Sequence, residues 1–306
     1  MIIIREVSSY EPQSGTAVTI GKFDGLHRGH RELIRRTVKR AREDNLEAAV
    51  FSISIASESL LTRRERTRMI SEMGADKLIE ADISSEFLST SAESFIRDTL
   101  CGRLRARYVV IGEDFHFGRG RAGDAAMLER EGRRLGFDVE VVPFLGDAEG
   151  KISSSRVREA LSRGDMECVG ELLGYPYFVT GVIVHGRQLG RTIGVPTANL
   201  ITEKNKLLPP YGVYYTRSEV WDRQYLGVTN VGTKPTVEGD FTGVETYFFD
   251  CNEDLYGKVL KTELLHFARP EQKFPSVADL RERIALDEQG ALRYFKGDAK
   301  RFKDRV

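Results

Sequence analysis

A parallel, Rossmann-like α/β domain, followed by a mostly antiparallel β-barrel with a C-terminal helix, is the fold class that the sequence predicts. Three observations carry it. Short apolar runs alternate with helix-period segments over the first half, as βαβ units require. From Phe178 onward come closely spaced runs rich in Val, Tyr, Phe and Thr, with turn residues between them. One long amphipathic pattern then ends the chain. The length of 306 residues favours two domains over one, and the change of character near residues 172–176 places them at 1–174 and 175–306.

The opening residues 1–4 are apolar, but Arg5 and Glu6 follow at once. That run is too short for a signal peptide or a membrane span and reads as a first strand. Residues 17–20 are strand-like and stop at Gly21. Leu33, Ile34, Val38 and Ala41 then follow a helical period, with Arg31, Arg35, Arg36 and Lys39 on other faces. Residues 48–55 read as a strand, 62–73 as a helix, and 108–111 and 139–142 as further strands. In the second half the strands fall at 179–184, 212–216, 225–231, 244–249 and 259–267, and the closing helix at 277–295.

Bulk properties narrow the function. Lys plus Arg and Asp plus Glu number 46 each, so no global field favours nucleic acid or an anionic membrane. The arginines at 63, 64 and 66 and at 103, 105 and 107 are interspersed with acids or apolar residues, and read as solvated helix faces rather than an RNA surface. Cys101, Cys168 and Cys251 are far apart and lack CxxC spacing, which fits reduced thiols in a cytoplasmic protein.

Two segments carry chemistry. The first, GKFDGLHRGH at 21–30, lies between a strand and its helix. A helix start offers unpaired N–H groups and a positive dipole end to an anion. Gly21, Gly25 and Gly29 let phosphate oxygens approach the backbone, and His27 and His30 can both donate to one phosphate chain. Glycines that only turn the chain, and histidines that only satisfy local hydrogen bonds, are the plainer alternative. The second segment, GRQLGRTIGVPTAN at 186–199, spaces Gly186, Gly190 and Gly194 four apart beside Arg191. Such a loop can close over phosphates with backbone N–H groups and guanidinium. Thr197 and Asn199 offer hard oxygens on one face of a strand, as Mg²⁺ prefers. A mobile hairpin is the plainer reading there.

HxGH after a first strand resembles the nucleotidylyltransferase superfamily. The fuller string resembles the adenylyltransferase module of bacterial bifunctional FAD synthetases. GEDFHFG at 112–118 is similar to that family's GxDFxFG loop, and ISSSRVR at 152–158 to its ISSTxxR segment, though SSSRVRE by itself is equally a helix cap. In the second half, GRxxGxPTAN resembles the riboflavin kinase signature. NVGTKPT at 230–236, VETYFFD at 244–250, DLYG at 254–257 and FARPEQKF at 267–274 match its later segments.

The resemblance implies a bifunctional enzyme: riboflavin plus ATP to FMN plus ADP, then FMN plus ATP to FAD plus pyrophosphate. Flavins are then substrates and products rather than bound prosthetic groups, with Mg²⁺ accompanying ATP and no nucleic-acid or membrane partner. In the transferase it implies charge stabilisation by His27, His30 and Arg158. It puts ATP contacts at Gly21, Phe23, Asp24, Gly29, Ser154 and Ser155, and flavin contacts at Asp114 and Phe117. In the kinase it implies ATP contacts at Gly186, Gly190, Arg191, Gly194, Thr197 and Asn199, with Mg²⁺ at Thr197 and Asn199. Glu245, by itself an ordinary charge at a strand start, becomes the flavin-facing base. One departure stands out. After its second strand the family carries a TFxPHP-like segment on the flavin, whereas FSISIAS at 51–57 has neither proline nor histidine. A kinase with an inactive or repurposed first module, or a flavin-binding regulator, is the alternative that this departure raises.

Overall fold

The structure, a computed structural model, describes residues 1–5, 12, 14–54, 58–82, 85–184, 196–220, 223–236, 239–251 and 253–297, with the backbone alone at 54, 82, 85–86, 234–236 and 239–242. The chain divides into two compact units, Met1–Ser154 and Ser155–Val306.

The first unit is built on six parallel strands: β1 (Ile2–Ile4), β2 (Thr16–Gly21), β3 (Glu47–Ser54), β4 (Lys77–Asp82), β5 (Ala106–Gly112) and β6 (Asp138–Val142), in the order β1-β4-β3-β2-β5-β6. Parallel strands are covered on both faces, so β2 is buried almost throughout. Its side chains alternate: Val18 and Ile20 join Phe51, Ile79, Val109, Ile111, Leu100 and Leu128 on one face. Ala17 packs with Ala48 and with Ala41 of the helix α1 (Arg28–Glu43) on the other. Helix α2 (Arg63–Glu72) starts with a capping box in which Thr62 and Glu65 satisfy each other's backbone N–H groups. Helix α3 (Ala125–Leu135) ends on left-handed Gly136 and leads into β6.

The expected strands stand within a few residues of their predicted places, but β4 carries no apolar period. Its Glu80 is buried and held by two arginines of α2: Arg63 Nε donates to Oε2 at 2.8 Å and Arg66 Nη2 to Oε1 at 3.3 Å. A buried carboxylate met by arginines from a helix hides this strand from a hydropathy reading.

In the second unit, helices α4 (Ser154–Ser162, its first residue still in the first unit) and α5 (Met166–Leu173) precede a closed antiparallel barrel. Its strands are β7 (Phe178–Val184), β8 (Thr197–Ile201), β9 (Gly212–Val220), β10 (Arg223–Thr236), β11 (Gly239–Phe248) and β12 (Val259–Pro270), ordered β7-β8-β11-β10-β9-β12. The sequence places the change of character at residue 174. The compact units part after Ser154, so α5 counts with the barrel, where Glu167 Oε1 meets His266 Nδ1 of β12 at 2.7 Å. Strand β8 is an addition to the five expected, short and headed by Pro196.

Threonines point into the barrel, and their hydroxyls bond one another: Thr216 to Thr229 at 2.9 Å and Thr229 to Thr246 at 2.8 Å. Outward-facing Val213, Val228 and Phe249 pack with Ala291 of the closing helix α6 (Val277–Gly297). Among the described residues, no helix is long and apolar enough to cross a membrane.

Candidate functional site

Each unit has its own cleft. In the first, the carboxyl ends of β2, β3, β5 and β6 (Gly21, Ile53, Gly112 and Val142) line a cleft of about 600 Å³. The chain leaves β2 for β3 on one side, while β5 lies on the other, so the cleft sits where the strand order reverses. His27 is the N-cap of α1, and its Nδ1 accepts the His30 backbone N–H at 3.4 Å. With Nδ1 an acceptor, the proton sits on Nε2, which is then a donor. The two imidazoles stack with centroids 3.7 Å apart. Gly29 lets the His27 ring sit close, since a Cβ there would meet it at 3.2 Å and push it a few tenths of an ångström. His30 Nδ1 is buried with no hydrogen-bond partner, a polar atom left over for a ligand.

Both imidazoles are held neutral. Burial, then the Lys151 charge, lowers the His27 pKa to about 4, and burial, then His27 and Lys151, pushes His30 well below its ordinary value. Lys151 lines the cleft, pairs with Asp114 and faces the Phe144 ring at 5.7 Å. Two neutral histidines supply dipoles but no net charge, so Lys151 is a cation available here to a phosphate chain. The lowered His27 value has a consequence for stability. Unfolded, a histidine titrates near 6.5, so between pH 6.5 and 4 the unfolded chain binds a proton that the folded one refuses. Stability is unaffected above that window and falls as pH falls through it, by about 3 kcal/mol when complete. Urea midpoints followed by circular dichroism at pH 7 and pH 4.5 check this. His27→Asn should lose less stability than wild type over that range, and equal losses would exclude it.

One wall of the cleft is aromatic. Phe115 stacks on Phe117 at 5.4 Å, Phe95 lies 5.6 Å from Phe117, and Ile53, Phe87 and Leu88 extend the surface. Gly118 turns the loop at φ +74°, with the Ala92 backbone where a Cβ would stand. Thus Gly21, His27, Gly29, His30, Asp114, Phe117 and Ser154 come together as the sequence implies. Phe23 and Asp24 stand behind the cleft. Phe23 is fully buried edge-on to His30 at 5.2 Å. Asp24 Oδ1 accepts the Leu60 N–H at 2.8 Å, and its carbonyl accepts from Ser154 Oγ at 2.8 Å. Ser155 is exposed, and Arg158, on the second turn of α4, lies past the point where the chain enters the second unit. Sequence reasoning missed Lys151, Phe87, Leu88 and Phe95. The basic residue directly before Ile152-Ser153-Ser154 was the available signal for Lys151.

In the second unit a groove of about 370 Å³ runs between the barrel and α6, lined by Thr197, Val213, Val228, Asn230, Glu245, Tyr247, Phe274, Leu280 and Ile284 among others. Strand pairing sets Glu245 between Asn199 on β8 and Asn230 on β10. Thr197 Oγ1 donates to Glu245 Oε1, and Asn199 Nδ2 reaches the same oxygen at 3.5 Å. Thr197 also lines a smaller cavity of about 70 Å³ with Pro196, Ala198, Cys251, Asp254, Leu255 and Tyr256, so it stands between two spaces. Gly186, Gly190, Arg191 and Gly194 lie outside the described residues. Arg269 and Glu271 of the FARPEQKF string and Asp287 of α6 also line the groove, none of them assigned a role from the sequence.

Known proteins match both halves. A riboflavin kinase family model matches residues 173–295, and an FAD synthetase model residues 9–156. The bifunctional riboflavin kinase/FMN adenylyltransferase of Escherichia coli K12 is 36% identical over 298 residues, covering 94% of this chain and 95% of its own. That of Bacillus subtilis is 34% identical over 300 residues, covering 93% and 94%. A solved Streptococcus pneumoniae chain described as a macrolide-efflux protein superposes with a TM-score of 0.84 at 33% identity, over 94% of this chain and 97% of that one.

Proposed function

The chain belongs to the bifunctional riboflavin kinase/FMN adenylyltransferase family, and from that premise we propose how its residues divide the two reactions. The kinase converts riboflavin and ATP to FMN and ADP, and the transferase converts FMN and ATP to FAD and pyrophosphate. The observation that carries the kinase assignment is the Glu245 carboxylate fixed by Thr197 and Asn199 at the groove. The flavin ring lies against Val213, Val228, Tyr247, Leu280 and Ile284, with its ribityl 5′-hydroxyl at Glu245. Glu245 accepts the hydroxyl proton as the oxygen attacks the γ-phosphorus in line and ADP departs. ATP occupies the smaller space on the other side of Thr197.

Mg²⁺ fits the donors present. Thr197 donates its O–H to Glu245, which leaves its oxygen lone pairs as hard donors, and Asn199, whose NH₂ turns to Glu245, brings an amide oxygen two residues on. Thr197 and Asn199 would hold the ion together with the ATP phosphates that it accompanies. Bound there, the ion neutralises charge on the phosphates. Thr197→Ala should raise the MgATP requirement of FMN formation roughly tenfold, as losing one oxygen contact does. FAD formation from FMN should be unchanged. A MgATP titration with the flavins separated by chromatography checks this, and a thermal melt far below wild type would make Thr197 structural instead.

In the transferase the FMN phosphate attacks the α-phosphorus, the bond to pyrophosphate breaks, and no protein nucleophile is needed. His27 and His30 donate hydrogen bonds to the phosphate chain at the start of α1, and Lys151 adds positive charge as pyrophosphate leaves. Phe87, Leu88, Phe95, Phe115 and Phe117, with Ile53 of the FSISIAS segment, take the flavin ring on an apolar surface that needs no TFxPHP-like proline or histidine. This favours a working transferase over a repurposed module.

A further inference from the structure

The groove of the second unit has one wall from the barrel and one from α6, and beside the apolar contacts of Ala291, Tyr294 and Phe295 an ionic cluster joins them. Helix α6 runs for 21 residues, yet its buried residues are only Asp287 and Ala291. Its apolar anchors, Ala291 with the partly buried Tyr294 and Phe295, lie towards its C-terminal end, beyond Leu280 and Ile284. Arg269, at the end of β12, donates from Nε to both Asp287 oxygens at 3.1 Å and from Nη2 to Oδ2 at 2.7 Å. Its Nη1 donates to the Pro270 carbonyl at 3.1 Å, and its guanidinium carbon lies 5.8 Å from the centre of the Phe274 ring. Asp287, 3% exposed, also accepts from Arg283 Nε at 3.2 Å. Every nitrogen of the Arg269 side chain is therefore engaged within the protein. The cluster ties together β12, the segment bearing Phe274, and α6.

We infer that Arg269 and Asp287 are positioning residues for riboflavin. They hold α6, and with it Leu280 and Ile284, as a preformed wall of the groove. A buried ion pair adds little net stability compared with an apolar contact, but its bidentate geometry fixes direction, which is what a wall at a set distance from Glu245 needs. A wall already in place spares substrate binding the cost of ordering it. The inference rests on the groove being the riboflavin site.

Asp287→Asn leaves Arg269 buried without its counter-charge. The expected result is a KM for riboflavin, and a riboflavin Kd by fluorescence quenching, raised roughly 10- to 100-fold, with kcat near wild type. The KM for MgATP and the conversion of FMN to FAD should not move. Should Asp287→Asn fail to fold, the double variant Arg269→Met with Asp287→Leu rebuilds the joint without charge. It should bring the riboflavin KM back towards wild type. A folded double variant with KM still high would mean that the charges touch the flavin directly, and would overturn the positioning role. So would a loss in kcat at unchanged KM. Glu245→Gln, measured alongside, separates the two levels. If it keeps full FMN formation, the groove assignment itself fails; if it loses activity while Asp287→Asn binds riboflavin normally, only the positioning role fails.

Discussion

Glu245→Gln should lower FMN formation from riboflavin by about 10²- to 10⁴-fold, the usual worth of a positioned general base. FAD formation from supplied FMN should proceed at the wild-type rate. The substitution is nearly isosteric, and a carboxamide oxygen can still accept from Thr197 Oγ1 and Asn199 Nδ2, which now meet on Glu245 Oε1. What disappears is the ability to take the 5′-hydroxyl proton. The selectivity follows because the transferase cleft is lined wholly by residues of the first unit. Incubation with riboflavin, ATP and Mg²⁺, followed by chromatography of the three flavins, reads both reactions at once. A variant that makes FMN at close to the wild-type rate would remove Glu245 as the base.

His30→Ala should lower kcat of FAD formation by about 10²- to 10³-fold, comparable to the loss of one preorganised donor to a developing anion. The KM for FMN should change little, because the phenylalanine wall stays in place. The imidazole is held between the His27 ring and Phe23, with its Nδ1 buried and unpartnered, so its polar edge is prepared before substrate arrives. Its lowered pKa keeps it a neutral donor rather than a cation. The test is an FMN titration at saturating ATP, with the kinase rate as internal control. A raised KM at full kcat would place His30 in ground-state binding rather than in the departure of pyrophosphate.

Most of the architecture was legible because most of it obeys hydropathy. Strand β2 and the five expected barrel strands are rich in apolar and β-branched residues, buried threonines among them, and glycines punctuate them. Strand β4 escaped because Lys77, Glu80 and Asp82 break its period, and Glu80 is buried by virtue of two arginines that lie 14 and 17 residues away in sequence. The candidate sites divide the same way. His27, His30, Thr197 and Glu245 stand in compact strings whose spacing implies their geometry. Lys151, Phe95 and Asp287 take their meaning from partners 37, 22 and 18 residues distant, which no local pattern shows. Phe23 and Asp24 lie within the HRGH-bearing string but support the cleft from behind, since a motif records sequence neighbours of a site as readily as its lining.

The hydroxyl row inside the barrel limits how this chain can drift. Thr229 is bonded to Thr216 on one side and Thr246 on the other, all fully shielded from water. Replacing the middle member alone by valine strands two buried hydroxyls, whereas replacing all three strands none. The intermediate steps are therefore costlier than the end point, and the three positions are held together by mutual dependence rather than by the separate worth of each. In an evolving lineage such a row acts as a ratchet: once assembled it is hard to leave one substitution at a time, even if a fully apolar interior would serve as well.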